Sequence, residues 1–138
     1  MAERYEKKGI EELQSLTEEL INEFPQRFIH IKVNDIHFAF KDAATSSWLA
    51  QTRLLSGFYQ TLTEKKLSIA TWKANWLTVT RRDKLYILYH ELMHIAYDKE
   101  KQVYKLIPHD VKTFYSMLKE FGIDREKSDD VFKNLLNK

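Results

Sequence analysis

No cysteine occurs in the 138 residues of the chain, which removes disulfides, zinc ribbons and thiol nucleophiles together. Glycine and proline are scarce, at three and two residues. There is accordingly no Gly-rich phosphate loop and no long flexible linker, and neither a low-complexity stretch nor an internal repeat is present. No segment approaches the roughly 20 apolar residues that span a bilayer. The first residues, Met1-Ala2-Glu3-Arg4-Tyr5-Glu6-Lys7-Lys8, never reach the apolar run of a secretory signal. Charge of one sign is also missing: the net charge is +2, whereas a dedicated nucleic-acid binder carries a dense basic stripe. No serine sits in a nucleophile-elbow context. These absences leave a soluble protein, with no membrane partner, suited to a reducing cytoplasm.

What is present is an ordinary globular composition, 43% hydrophobic and 30% charged, in a chain long enough to bury one core without staples. The expectation is a single α+β domain over residues 1–138, with a small sheet between helices at both ends. An N-terminal helix within residues 1–25 follows from Ile10, Leu13, Leu16, Leu20, Ile21 and Phe24 at helical spacing, stopped by Pro25. Ile36, Phe38 and Phe40 alternate with His37 and Ala39 as a strand, and Leu67, Ile69 and Thr71 alternate as another. Residues 42–47 have loop or helix-start character, and residues 53–62 are ambiguous. Thr80-Arg81-Arg82-Asp83 has the form of a capping box opening a helix that runs to about Tyr97. Val103 to Ile107 reads as extended, and Pro108-His109-Asp110 as a turn. A helix follows, with Val111, Phe114, Leu118 and Phe121 on its apolar face and Gly122 at its C-terminal cap. A last helix within residues 125–138 carries Val131, Phe132, Leu135 and Leu136.

The chemistry sits on the helix opened by Thr80. His90 and His94 lie about 40° apart on a helical wheel, so both imidazoles can grip one ion. Glu91 is about 60° from His94, near enough to reach a water on that ion. This is the mechanical content of H-E-x-x-H, two ligands and a general base. From Leu85 to Tyr97 the only ionisable groups apart from tyrosines are these three. A helix so apolar must be largely buried. A buried carboxylate beside two imidazoles is costly unless something pairs with it, and a divalent cation resolves that cost.

Catalytic zinc takes three protein ligands and keeps one position open. Asp98, Glu100, His109, Asp110 and Glu120 are the downstream candidates for the third. Tyr97 and Glu100 stand where a metzincin needs Gly and His, which excludes that class. His109 is favoured because it follows an extended segment able to return the chain to the site. Asp110 would then cap the next helix or orient the histidine. Tyr97 and Tyr104 are candidates to stabilise an oxyanion.

His90-Glu91-x-x-His94, with 14 intervening residues before His109, resembles the spacing of SprT-like zinc proteases. The run from Leu67 to Gly122 also resembles the phage metallopeptidase family. That likeness is carried by His90-Glu91-Leu92-Met93-His94-Ile95 and by Tyr104-Lys105-Leu106-Ile107-Pro108-His109-Asp110-Val111 with Phe114. The resemblance implies a minimal zincin fold holding Zn2+ on His90, His94 and His109, with Glu91 as catalytic base and a protein or peptide as substrate. It implies a phage or mobile-element protein of the bacterial cytoplasm. Without cysteine, the zinc ribbon by which SprT-like proteases dock on DNA is not carried over.

An edge strand at Leu67 to Trp72 is the expected place for an extended peptide to align. The alternative from another class is a catalytically idle, metal-stabilised binding module contacting DNA or a host protein. It would use Trp72, Lys73 and Trp76 with Lys65, Lys66, Arg81 and Arg82. The plainer reading of that cluster is tryptophans in the core and a solvated charged rim. His30 and His37 read as packed or exposed histidines rather than ligands.

Overall fold

The computed structural model describes residues 2–41, 50–72, 76–107, 117, 119–121 and 127–137. Helix α1 (Ala2–Glu23) buries Leu13, Leu16 and Leu20 along one stripe. It gives way to the short α2 (Pro25–Phe28), where Pro25 occupies the first turn and its missing N–H leaves no bond unmade. A 3-10 turn (Val33–Asp35) then leads into the first strand.

Three strands form the main sheet: β1 (Ile36–Lys41), β2 (Ala50–Leu54) and β3 (Leu67–Trp72). Their order is β1-β3-β2, with β1 parallel and β2 antiparallel to β3. The register sets Phe38, Ile69 and Thr52 side by side. With the period-two alternation of strands, Ile36, Phe38, Leu67, Ile69, Ala50 and Thr52 share one face. Most of that face is buried, and α1 packs against it at β1.

One expectation is corrected here, and one open stretch is resolved. The strand Leu67–Trp72 is the centre of the sheet, not an edge. Its residues Leu67, Ile69, Ala70, Thr71 and Trp72 are all buried, as a strand covered on both faces requires. The ambiguous stretch 53–62 divides between two elements: β2 stops at Leu54, and helix α3 (Gly57–Thr63) begins three residues later. Residues 42–47 lie outside the described residues.

Helix α4 (Arg81–Met93) starts where its cap predicts, with the Thr80 hydroxyl accepting from the Asp83 backbone amide at 3.2 Å. Leu85, Ile87, Leu88, Tyr89, Glu91 and Leu92 are buried around it. The helix stops at Met93 rather than continuing to Tyr97, because β4 (Ile95–Asp98) leaves it to pair antiparallel with β5 (Val103–Leu106). Asp98 closes the hairpin, its Oδ1 accepting from the amides of Glu100 and Lys101 at 3.0 and 3.2 Å. No helix among the described residues is long and apolar enough to cross a membrane.

Residues 117 and 119–121 are helical, with Met117 and Phe121 buried. Val111, Phe114, Leu118 and Gly122, also assigned to that helix, lie outside the described residues. The terminal segment forms two short helices, α5 (Ser128–Val131) and α6 (Lys133–Leu136), in place of one. Phe132 between them and Leu135 are fully buried. Phe132 and Phe121 meet the Tyr89 ring at centroid distances of 5.9 and 5.1 Å, which locks the C-terminal end onto α4.

Candidate metal centre

Among the described residues, His90, Glu91 and His94 form a group whose ligand atoms all lie within 4.8 Å of one another. All three come from the last turn of α4 and its C-cap. The imidazoles are half-buried and face each other through Nε2, with the two nitrogens 3.2 Å apart. Their rings stand 68° apart in plane, at a centroid distance of 4.9 Å.

The tautomer of His94 follows from its other nitrogen. Nδ1 lies 2.6 Å from the Ile107 carbonyl oxygen. A carbonyl only accepts, so Nδ1 carries the proton and Nε2 presents its lone pair to the shared space. A backbone carbonyl behind a histidine is the usual support of a metal-ligating imidazole. The spacing fits as well. Two nitrogens held about 2.0–2.1 Å from a tetrahedral zinc stand roughly 3.3 Å apart. The donor set therefore suits a zinc-like cation.

Glu91 is 8% exposed. Burial raises its pKa above the ordinary carboxylate value, while a hydrogen bond from Thr52, the charge of His94 and the Thr52 backbone act against the rise. The Thr52 hydroxyl donates to Glu91 Oε1 at 3.0 Å. Thr52 reaches it from β2, which packs beside α4.

The other residues singled out in the sequence fall elsewhere. Tyr104 is buried on β5, and its hydroxyl donates to Asp35 Oδ2 at 2.8 Å while accepting from the Lys32 amide at 3.3 Å. Tyr97 pairs with it across the hairpin, ring edge to face at 5.3 Å, and is 37% exposed. Asp98 is committed to its turn and to Lys105 at 3.2 Å. Glu100 is exposed in the same turn. Glu120 accepts from the Tyr89 hydroxyl and pairs with Arg27. His109 and Asp110 lie outside the described residues.

The tryptophan cluster resolves in favour of the core. Trp76 is 1% exposed and Trp72 is 7% exposed. Arg81 pairs with Glu19, and Arg82 lies 3.7 Å from both Asp83 and Asp129. Neither indole offers a face for a base to stack on. His37 is exposed, and His30 Nε2 lies 2.7 Å from the Ile95 carbonyl. Neither belongs to the group formed by His90, Glu91 and His94.

Sequence reasoning missed Thr52 and Ile107. Thr52 left one trace, a hydroxyl in the inward row between Ala50 and Leu54. Ile107 acts through its backbone carbonyl, which no side-chain pattern reports.

No curated protein matches the chain, and no solved structure does. The match to a family model is wider than the likeness carried by Leu67 to Gly122, since it takes in α1 and both terminal helices. That model, described as "Putative phage metallopeptidase", matches residues 5–137, and the chain belongs to this family.

Proposed function

We propose that the protein is a zinc-dependent peptidase that hydrolyses peptide bonds with an activated water, holding its metal on His90, His94 and His109 and using Glu91 as general base. The observation that carries this reading is the pair of Nε2 atoms 3.2 Å apart with the Glu91 carboxylate in the same group. Family membership points to a metallopeptidase and so to a protein or peptide substrate.

The chain path favours His109 as the third ligand. Ile107 is hydrogen-bonded to His94, and His109 follows two residues later. Covalent geometry keeps the His109 α-carbon within about 7 Å of that of Ile107. Asp110, next along, is then available to hold the His109 ring.

Zinc, when bound, supplies a water with a pKa near 7 and polarises the scissile carbonyl. Glu91 accepts the proton of the attacking water as the C–O bond forms, and returns it to the amine nitrogen as the C–N bond breaks. His94 would offer an unprotonated Nε2 to the metal, because its Nδ1–H is committed to the Ile107 carbonyl. Of the two flanking strands of the main sheet, β2 is the one joined to the site through Thr52, so an extended substrate aligns along β2. Tyr104 spends its hydroxyl on Asp35 and Lys32, which leaves Tyr97 as the candidate to meet a developing oxyanion.

The test is metal content by elemental mass spectrometry, run on the wild type, His109→Ala and Glu91→Gln, with peptide-library cleavage alongside. The wild type is expected to hold about one zinc per chain. His109→Ala should lose or weaken it, and Glu91→Gln should keep zinc and lose cleavage. A Glu91→Gln protein that cleaves at the wild-type rate overturns the mechanism. Absence of metal after reconstitution overturns the enzyme reading.

A further inference from the structure

We propose that Thr52 is a positioning residue for the general base, its hydroxyl holding the Glu91 carboxylate in one orientation beside the two imidazoles. The inference rests on the reading of Glu91 as the base.

Thr52 lies on the inward face of β2, directly across from Ile69, which is fully buried. Its neighbours in that row are Ala50 and Leu54, so the row is otherwise apolar. Valine has the same shape and suits a strand at least as well. Thr52 is half-buried, so its hydroxyl is partly withdrawn from water and is best satisfied by a partner within the fold. Here the partner is Glu91 Oε1, at 3.0 Å. The bond joins residues on two different elements, separated by 39 positions in the chain, so neither helix nor strand formation requires it.

The geometry also suits the task. A free glutamate side chain samples several rotamers, whereas proton transfer needs its oxygen within hydrogen-bond reach of the reacting water. An ionised carboxylate offers about four lone-pair sites. The Thr52 hydroxyl engages one at Oε1, and the Thr52 backbone adds a smaller interaction of its own, which leaves sites to receive the proton. Because Thr52 sits on a sheet strand, the anchor is rigid. The substrate-aligning strand and the base are thereby tied to each other, so a peptide lying along β2 is held at a fixed distance from the group that activates its water.

The test compares Thr52→Val and Thr52→Ser with the wild type in the zinc-loaded protein. Thr52→Val should lower kcat by about 10–100-fold with KM little changed and zinc content intact. Thr52→Ser, which restores the hydroxyl, should recover most of the loss. A second readout is independent of turnover. In protein labelled with carbon-13 at the glutamate carboxyls, the Glu91 signal (assigned by its loss in Glu91→Gln) should move or broaden in Thr52→Val and return in Thr52→Ser. If the wild type cleaves and neither kcat nor this signal responds to Thr52→Val, the proposal is overturned while the peptidase reading stands. Equal loss in both variants also overturns it, since that marks a packing role. If the signal responds but the wild type cleaves nothing, the positioning contact is upheld and the peptidase reading falls.

Discussion

His94 and Ile107 are joined twice: the Ile107 amide donates to the His94 carbonyl at 2.7 Å, and His94 Nδ1 donates to the Ile107 carbonyl at 2.6 Å. The pairing extends the β4–β5 ladder by one step beyond Ile95 and Leu106. A backbone hairpin thus does for His94 what a second-layer carboxylate does in many zinc sites. It follows that Ile107→Pro, which removes the N–H, loosens the carbonyl behind the imidazole as well. Zinc affinity should fall about 10-fold or more. Competition with a chromophoric chelator measures it, with circular dichroism as a check that the variant is folded. Unchanged affinity would show that the second bond holds the ring unaided.

Metal removal should lower stability. A ligand that binds only the native state adds about 2.7 kcal/mol at a concentration 100 times its Kd. For a chain of this size that is a shift in Tm of roughly 10 °C. Thermal melts with added zinc and with chelator should differ by about this amount in the wild type. The difference should vanish in His90→Ala. A chelator-insensitive wild-type Tm would argue that the histidines merely pack.

The start of α4 was legible because capping is local: Thr80 and Asp83 are three residues apart, and their bond needs nothing else. Its end was not. Ile95-Ala96-Tyr97 continues an apolar helical pattern, and what breaks it is pairing with Val103–Leu106, a tertiary event. The same holds for β3. Alternation of Leu67, Ile69 and Thr71 announces a strand but not its place in a sheet. The buried Ala70 and Trp72 between and after them carried that information, because a strand covered on both faces reads as a nearly continuous run. The motif itself was legible as spacing on one helix. Thr52 was not, because its meaning depends on a residue far along the chain.

Glu120 offers a test of how the C-terminal segment is held. Its carboxylate accepts from the buried Tyr89 hydroxyl and pairs with Arg27. Glu120→Ala leaves the phenol buried without that acceptor, which costs about 1–3 kcal/mol. Tyr89→Phe should cost less, because Glu120 keeps Arg27. The double variant should lose less than the sum of the two, since the residues share one bond. Urea unfolding of all three variants measures this. Strict additivity would mean that the Tyr89–Glu120 contact contributes nothing.

Tyr104 predicts how stability changes in alkali. Burial, with a smaller contribution from the hydrogen bond to Asp35, pushes its pKa from 10.0 to about 12. The unfolded chain gives up this proton near pH 10, and the folded protein keeps it to about pH 12. Between those values the unfolded state binds fewer protons, so stability falls as pH rises. The contribution is complete below pH 10 and is lost on passing through the folded pKa. Tyr104→Phe removes the titrating group together with its bond to Asp35. The variant should start less stable at pH 9, and the gap should narrow by pH 11, because only the wild type continues to lose this contribution. Urea midpoints at the two pH values give the answer. A gap that stays constant would mean that the Tyr104 phenol titrates alike in both states.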